Sequence, residues 1–350
     1  MKNKDFQLSC PMPLRDHPRI LLGHGSGGAL THELIEKVFA PEFDNPLLRQ
    51  SHDGAVLKLT GKRAALTTDS YVVHPLFFPG GDIGKLAVYG SVNDLAMCGA
   101  RPLYLTAAFI LEEGLEVATL CRIVASMKEA ARQCRVSIVT GDTKVVDKGK
   151  ADGVFINTTG FGVVEHDLKI VPRSIRKEDA IILSGDIGRH GMAIMASREG
   201  LTFETEIQSD AAPLSECVQK LLKRGIAVHC LRDLTRGGLA TALVELAGTS
   251  GLSMLVQERE VSVMPEVRGA CEILGLDPFY VANEGRFICF VPEKDAAATI
   301  KIMQKYPGGD AARSIGRVLK DQDHCVTLEN AIGTTRVLNM LPGQLLPRIC

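Results

Sequence analysis

The sequence lacks a hydrophobic run of the ~18 residues needed to cross a bilayer, and its start, MKNKDF, lacks the apolar stretch of a secretory signal. Its 40 basic residues are balanced by 41 acidic ones, a net charge of −1, so no broad basic surface is available for nucleic acid. None of the ten cysteines forms a C-x-x-C pair, which leaves zinc ribbons and redox dithiols without support. We therefore expect a cytoplasmic protein that binds neither membrane nor nucleic acid.

Length and alternating patterns predict the architecture. The 350 residues exceed the ~250–300 at which a single core stops growing, so two domains are expected. Strand-like and helical runs alternate, which indicates an α+β (mixed α/β) fold. We predict an N-terminal extension over 1–19, a first domain over 20–165, a second over 170–333, and a mobile tail over 334–350, where prolines and a glycine interrupt regular structure.

The predicted elements follow from periodicity and from glycine and proline positions. The strands are expected at 64–68, 102–110, 136–140, 154–164, 180–184 and 286–291. The helices are expected at 31–40, 82–98, 115–134, 213–224, 239–247 and 265–274.

Five aspartates are candidates for chemistry. Four lie at predicted strand ends or in turns, where a carboxylate is commonly a cap or a turn former, and the fifth follows Asn93 inside an otherwise apolar helix. Buried charge is costly unless it is paired or bound to metal, and converging carboxylates are typical of Mg²⁺ bridging to nucleotide phosphates. The five are Asp53, Asp69, Asp94, Asp142 and Asp233.

Glycine-rich segments offer candidate phosphate cradles. GHGSGG, which contains Gly25, Gly27 and Gly28, formally matches a dinucleotide fingerprint, but neither a preceding strand nor a downstream acidic strand end supports that interpretation. Lys85 in PGGDIGK is either a phosphate contact or a solvated helix lysine. DLTRGG predicts an anion site at a helix start.

Two further charged residues and the last residue are notable. Lys144 follows a possible metal ligand in GDTK and could equally be a salt-bridge partner, while Glu284 in NEGR could equally be a turn residue. The histidines show no metal-ligand spacing. Cys350 ends the chain on an irregular tail, and the eight steps from Pro342 could carry its sulfur ~26–29 Å as a tethered nucleophile.

Together these segments resemble the HypE family of hydrogenase maturation factors, within the ATP-using superfamily typified by aminoimidazole ribonucleotide synthetase and selenophosphate synthetase. The resemblance runs from about residue 20 to Cys350. The motifs that carry it are GHGSGG, TTDSYVVHPLFFPGGDIGKLAV, SVNDLAMCGARP, GDTKVV, DLTRGGLA, NEGRF and the closing PRIC.

The resemblance implies a specific chemistry. The HypF carbamoyltransferase would load a carbamoyl group onto Cys350. ATP would then drive its dehydration to a thiocyanate, and the cyanide would pass to iron on a HypC–HypD complex as a ligand of the [NiFe]-hydrogenase centre. The resemblance also implies a homodimer in which the first domains pair strands into a barrel.

The resemblance further implies roles for individual residues. Cys350 would carry the substrate, and Lys144 and Glu284 would handle protons on the carbamoyl nitrogen, with acid and base left open. Mg²⁺ would be held by Asp53, Asp69, Asp94 and Asp142. ATP would contact Gly25, Gly27, Gly28, Lys85, Asn93 and Asp233.

Two alternatives remain open on the sequence alone. A small-molecule ATP-dependent phosphotransferase or synthetase of the same superfamily could have an incidental tail, in which case turnover would survive Cys350→Ser. A non-enzymatic scaffold would bind no Mg–ATP, and the glycine loops and acidic strand ends argue against it.

Overall fold

A mixed five-stranded sheet forms the first half of the molecule. The computed structural model describes residues 28–34, 36–37, 49, 55–59, 62–200, 206–320, 323–340 and 349–350. The strand order is β1-β2-β7-β5-β6, antiparallel except for β5 and β6, which run parallel. The strands are β1 (Ala55–Leu59), β2 (Lys62–Tyr71), β5 (Arg101–Glu112), β6 (Ser137–Val146) and β7 (Val154–Val164), with a small hairpin of β3 (Phe77–Phe78) and β4 (Gly81–Asp82) beside them.

Two helices cover one face of this sheet. α2 (Ile83–Met97) is buried on nearly every side, and α3 (Val117–Cys134) packs against it with a half-buried stripe. Asp82 caps α2, since its side chain accepts hydrogen bonds from the backbone N–H groups of Gly84 and Lys85. A short helix, α1 (Ala29–Leu34), precedes the sheet.

A seven-stranded sheet forms the second half. Its order is β14-β13-β10-β12-β8-β11-β9, with helices on both faces and a separate apolar core on each side. The strands are β8 (Asp179–Leu183), β9 (Cys230–Asp233), β10 (Met254–Gln257), β11 (Phe287–Pro292), β12 (Arg313–Val318), β13 (Val326–Glu329) and β14 (Thr335–Leu338). The helices are α4 (Arg189–Glu199), α5 (Ser215–Lys223), α6 (Gly238–Ser250), α7 (Pro265–Leu274) and α8 (Glu293–Met303).

The structure confirms the expected mixed α/β architecture and corrects several details. The strand at 154–164 and the helix at 265–274 have the predicted bounds. The elements that were not predicted are β1, β3, β4, β9, β10, β12, β13, β14, α4 and α8. β2 and β6 continue past the expected ends, so Asp69 and Asp142 lie within strands rather than at their termini. β2 continues because it pairs with the long strand β7 as far as Tyr71, which lies opposite Ile156.

The C-terminal segment also differs from the expectation of an irregular tail from residue 334. Thr335–Leu338 form edge strand β14, which pairs antiparallel with β13 and buries Leu338. The interrupting prolines come only after this strand. Within the part of the chain that the structure describes, no helix has the length and apolarity to cross a membrane.

Candidate active site

Two carboxylates meet where β2 faces α2. The inward residues of β2 include Thr67 and Asp69, and the Thr67 hydroxyl donates to Asp94 Oδ2 on α2 at 2.6 Å. The Asp69 and Asp94 carboxyl groups lie within hydrogen-bonding range of each other. Burial raises the pKa of Asp69, while the nearby Arg236 guanidinium acts in the opposite direction. The pair therefore attracts a proton or a cation.

Tyr71 completes this wall of the site. Its hydroxyl donates to Asp69 Oδ2 at 3.2 Å, and burial raises its pKa well above the ordinary value. The tyrosine reaches this position because Gly90 of α2 has no side chain: a Cβ there would lie 2.1 Å from the Tyr71 hydroxyl oxygen. Any larger residue at 90 would displace the tyrosine.

Glu284 forms the opposite wall, in the loop before β11. Its side chain is buried, and its Oε1 has no hydrogen-bond partner among the residues that the structure describes. Burial, followed by the nearby carboxylates of Asp233 and Asp210, raises the pKa of Glu284 well above its ordinary value. Burial therefore favours the protonated form of this carboxyl, which can both donate and accept a hydrogen bond.

Residues of both halves hold Glu284 in place. Its backbone N–H donates to Asp210 Oδ1 at 3.2 Å, and its carbonyl accepts from Asn93 Nδ2 at 3.3 Å. The Asn93 amide also donates to the carbonyl of Ala212 and accepts from the N–H of Leu214. All the polar atoms of Asn93 are thus engaged with the second domain, so its side chain joins the two halves. Its contact with the nucleotide stays a prediction.

The end of the chain lies in this site. The backbone N–H of Val72 donates to the main-chain oxygen of Cys350 at 3.1 Å, and the Ile349 side chain is buried. Burial and the carboxylate of Glu284 raise the pKa of the Cys350 thiol to about 12, and Asp69 and Asp233 act in the same direction. The sulfur therefore stays protonated in this position.

Arg236 is a site residue that the sequence analysis missed. It lies in DLTRGG between Asp233 and the start of α6. The pKa of Arg236 is raised, first by the Cys350 sulfur and then by Asp69 and Glu284. It is a cation that faces both the carboxylates and the tail. Its motif was recognised as a possible anion site, but only the fold brings it to the tail.

The structure does not bring Asp142 and Lys144 into this cluster within one chain. Both lie on β6, where Lys144 Nζ and Asp142 Oδ2 form an exposed ion pair at 2.7 Å that lowers the pKa of Asp142. Through the registers of β5 and β7, Asp142 is level with Ser70, three strands away, or about 14 Å across the sheet. The salt-bridge interpretation of Lys144 thus holds within the single chain.

Lys85 also lies apart from the site. It is nine residues before Asp94 on α2, which places it about 13 Å along the helix axis and on the opposite side of the helix. Lys85 therefore lies outside the Asp69–Asp94 pair, and its contact with phosphate stays a prediction.

The glycine loop lies largely outside the described residues, as do its Gly25 and Gly27 and the predicted ligand Asp53. Gly28, which directly precedes α1, is buried, and its carbonyl oxygen accepts a hydrogen bond from the backbone N–H of His32. The His32 ring contacts Glu245 at 2.7 Å, and Glu245 also accepts from Arg232 at 2.9 Å. These contacts join the helix after the loop to the second domain, close to DLTRGG.

The donor set agrees with a nucleotide-bound magnesium ion. Among the described residues, no group of three or more histidine, cysteine or acidic side chains could hold a metal alone. The Asp69–Asp94 pair instead matches Mg²⁺, which commonly uses one or two carboxylates together with substrate phosphates and water.

Comparison with known proteins agrees with this geometry. Residues 51–164 match the family model "AIR synthase related protein, N-terminal domain", and residues 176–329 match its C-terminal counterpart. The chain is therefore an AIR-synthase-related protein. Carbamoyl dehydratase HypE of Cupriavidus necator is 51% identical over 333 residues, which cover 95% of each chain. The chain belongs to the carbamoyl dehydratase HypE family.

Solved structures support the same assignment. A crystal structure of hydrogenase maturation protein HypE in complex with ATP matches with a TM-score of 0.80 and 49% identity, covering 95% of this chain and all of that chain. A HypE–HypF complex matches with a TM-score of 0.84 and 46% identity, covering 88% of this chain and 99% of that chain.

Proposed function

We propose that this protein dehydrates a carbamoyl group carried on Cys350 to a thiocyanate at the expense of ATP, and so supplies the cyanide ligand of the [NiFe]-hydrogenase iron centre. The observation that carries the proposal is the position of the chain end: the Cys350 sulfur lies among Glu284, Asp69 and Arg236.

The reaction needs a leaving group and the removal of two protons. The carbamoyl oxygen attacks the γ-phosphorus of ATP and releases ADP. The C–O bond then breaks with phosphate as the leaving group, while the nitrogen loses both protons to give S–C≡N. The Oε1 of Glu284 has no hydrogen-bond partner among the described residues, and burial favours its protonated form. Glu284 is therefore suited to hydrogen bonding the carbamoyl amide at this stage.

Charge in the pocket suits the phosphoryl transfer. Arg236 offers a cation beside the sulfur and the carboxylate pair. Asp69 and Asp94 would hold Mg²⁺, which supplies charge neutralisation at the phosphates. We include Asp53, Gly25, Gly27, Gly28 and Asp233 as further contacts on the strength of the family motifs.

Loading and transfer must take place with the tail outside the pocket. The pocket keeps the Cys350 thiol protonated, and a thiol is a far weaker nucleophile than a thiolate. HypF would therefore carbamoylate the sulfur outside, and the HypC–HypD complex would receive the cyanide outside, both in the cytoplasm. Only the dehydration requires the closed tail.

A homodimer would complete the site. β6 is exposed along nearly its whole length and ends the first sheet, with Val139 and Val145 57% and 67% exposed. Such an apolar edge requires a cover, and a second copy of β6 is a cover of matching length and pattern. We propose that this pairing brings Asp142 and Lys144 of one chain to the carboxylates and the tail of the other.

Mass spectrometry of the C-terminal peptide tests the function. The protein is loaded with HypF and carbamoyl phosphate and is then given Mg–ATP. We expect Cys350 to gain a carbamoyl group and then to lose the mass of one water. Cys350→Ser should abolish both changes, whereas Cys325→Ser, a half-buried cysteine beside Ser253, should leave them intact. A fully carbamoylated tail that never loses water would refute the proposal.

A further inference from the structure

A buried histidine, His190, contacts the end of the chain. His190 is the second residue of α4, in the motif GRHG, and its side chain has no exposed surface. Its Nε2 lies 2.6 Å from the main-chain oxygen of Ile349, and its Nδ1 lies 2.8 Å from the Ser209 hydroxyl. The Phe78 ring meets the imidazole edge to face, with centroids 5.6 Å apart.

The partners determine which nitrogen carries the proton. The Ile349 carbonyl can only accept, so Nε2 must donate to it. Burial lowers the pKa of His190, so the ring is neutral and Nδ1 is an acceptor. The Ser209 hydroxyl accepts from the N–H of Ala211 and therefore gives its own proton to Nδ1. This relay orients the imidazole towards the tail.

The tail is held at two successive main-chain oxygens, one by each half of the molecule. His190, in the second domain, holds Ile349, and Val72, in the first, holds Cys350. The Ile349 side chain is only 4% exposed and packs in the same core as Met192 of α4. With the main-chain oxygens of the last two residues held and the Ile349 side chain buried, the backbone that carries the Cys350 side chain is fixed in the pocket.

We propose that His190 is a positioning residue that latches the C-terminal dipeptide in the pocket and so sets the fraction of time that Cys350 is closed in. Both ring nitrogens are occupied by Ser209 and Ile349, so His190 takes no part in proton transfer to the reacting group. The contacts of His190 do not depend on the proposed function. Only the reason for holding the tail does, because dehydration would take place while the tail is in the pocket.

Alkylation of Cys350 measures the latch without ATP or a carbamoyl group. Full-length protein is treated with iodoacetamide, and each cysteine peptide is followed by mass spectrometry. Exposed Cys121 serves as the reference for reagent, and fully buried Cys289 reports unfolding. Loss of one buried neutral hydrogen bond should raise the rate at Cys350 by about three- to tenfold in His190→Leu.

Conservative and control variants separate latching from general destabilisation. His190→Gln retains an N–H donor and should return the rate most of the way to wild type. His229→Gln changes another buried histidine, which pairs with Asp179 at 2.8 Å, and should leave Cys350 labelling unchanged. The proposal is overturned if Cys350 labelling in His190→Leu equals wild type while Cys289 stays protected, or if His229→Gln accelerates it equally.

If Cys289 becomes labelled in His190→Leu, that variant is unfolded, and a second variant tests the role of His190. Ser209→Ala removes only the proton donor to Nδ1, and we expect Cys350 labelling to rise about two- to threefold. An unchanged rate would then overturn the latch. Labelling needs no turnover, so the two proposals can fail separately. If Cys350 labelling changes as expected but the carbamoylated tail never loses water, the proposed function is refuted and the role of His190 is not.

Discussion

At the scale of single residues, the site places titratable groups where burial works against charge. Glu284 and the Cys350 thiol both have raised pKa values, with burial as the first cause. Burial that disfavours charge also suits the uncharged carbamoyl group that the Cys350 sulfur would carry. Natural sites keep such costly groups when the reaction needs them.

The Glu284→Gln variant should separate stability from activity. The pKa of Glu284 in the folded protein lies above its ordinary value of 4.5. The wild-type protein therefore loses stability as the pH rises from 4.5 to the pKa in the folded state. The uncharged amide of the variant carries no such cost, so the variant should melt higher at pH 8 than wild type, by about 2–4 °C per kcal/mol, with little difference at pH 4. Thermal unfolding across this pH range measures it.

The same variant should lose dehydration by about 100- to 10,000-fold while its loading on Cys350 persists. Glu272→Gln, on the exposed side of α7, is the matched control and should change neither quantity. A wild-type dehydration rate in Glu284→Gln would remove this carboxyl from the mechanism.

At the scale of elements, α2 connects the two halves. It packs under the first sheet, carries Asp94 into the carboxylate pair and uses Asn93 to hold the loops of the second domain. Its sequence is apolar on nearly all sides because it is covered on nearly all sides. The two polar residues in this apolar helix are therefore the informative ones.

Asn93→Ala should destabilise the protein by about 1–3 kcal/mol, because it leaves buried backbone groups of the 212–214 and 284 loops without partners. Chemical denaturation measures the loss. Asn330→Ala removes an asparagine that holds an exposed turn through two hydrogen bonds, and we expect a smaller effect. An equal loss in the two variants would contradict the bridging role of Asn93.

The β6 edge makes its own prediction. Val139→Arg should prevent the proposed pairing of β6 strands and shift the protein from dimer to monomer in analytical ultracentrifugation, since the new charge would be buried at the interface. Val117→Arg on α3 changes a valine that is 74% exposed and should leave the dimer unchanged. A dimeric Val139→Arg protein would show that the subunits join elsewhere.

At the scale of the whole molecule, each complete site should combine two chains. A mixed dimer of Asp69→Asn and Asp142→Asn subunits then has one site with both aspartates intact and one with neither. We expect Mg–ATP-dependent turnover to return in the mixed dimer although each parent is inactive. Differently tagged subunits, purified as the mixed species, give the measurement.

Turnover that stays absent from the mixed dimer would place Asp69 and Asp142 in the same chain's site. The β6 registers argue against that result, because they hold Asp142 about 14 Å away from β2 in its own sheet. The comparison therefore tests the dimer and the ligand set together.

Local patterns in the sequence determined much of this protein. The apolar alternation of β7, the proline that begins α7 and the nearly continuous apolar surface of α2 each indicate their elements directly. The short strands of the second sheet were not predicted, because four-residue segments such as β9 and β13 are too short to show a periodic pattern. Motif composition also predicted the carboxylates, Glu284 and the terminal cysteine as site residues.

Only the tertiary structure decided which of these residues meet. Residues 69, 94, 236, 284 and 350 come together because two sheets and a shared helix fold their loops onto one cleft. Lys85 and Asp142 carry equally suggestive motifs, yet helix length and strand spacing place them elsewhere in the single chain. The sequence shows His190, but its role depends on the carbonyl of Ile349, which lies 159 residues away along the chain. No local sequence pattern indicates such a contact.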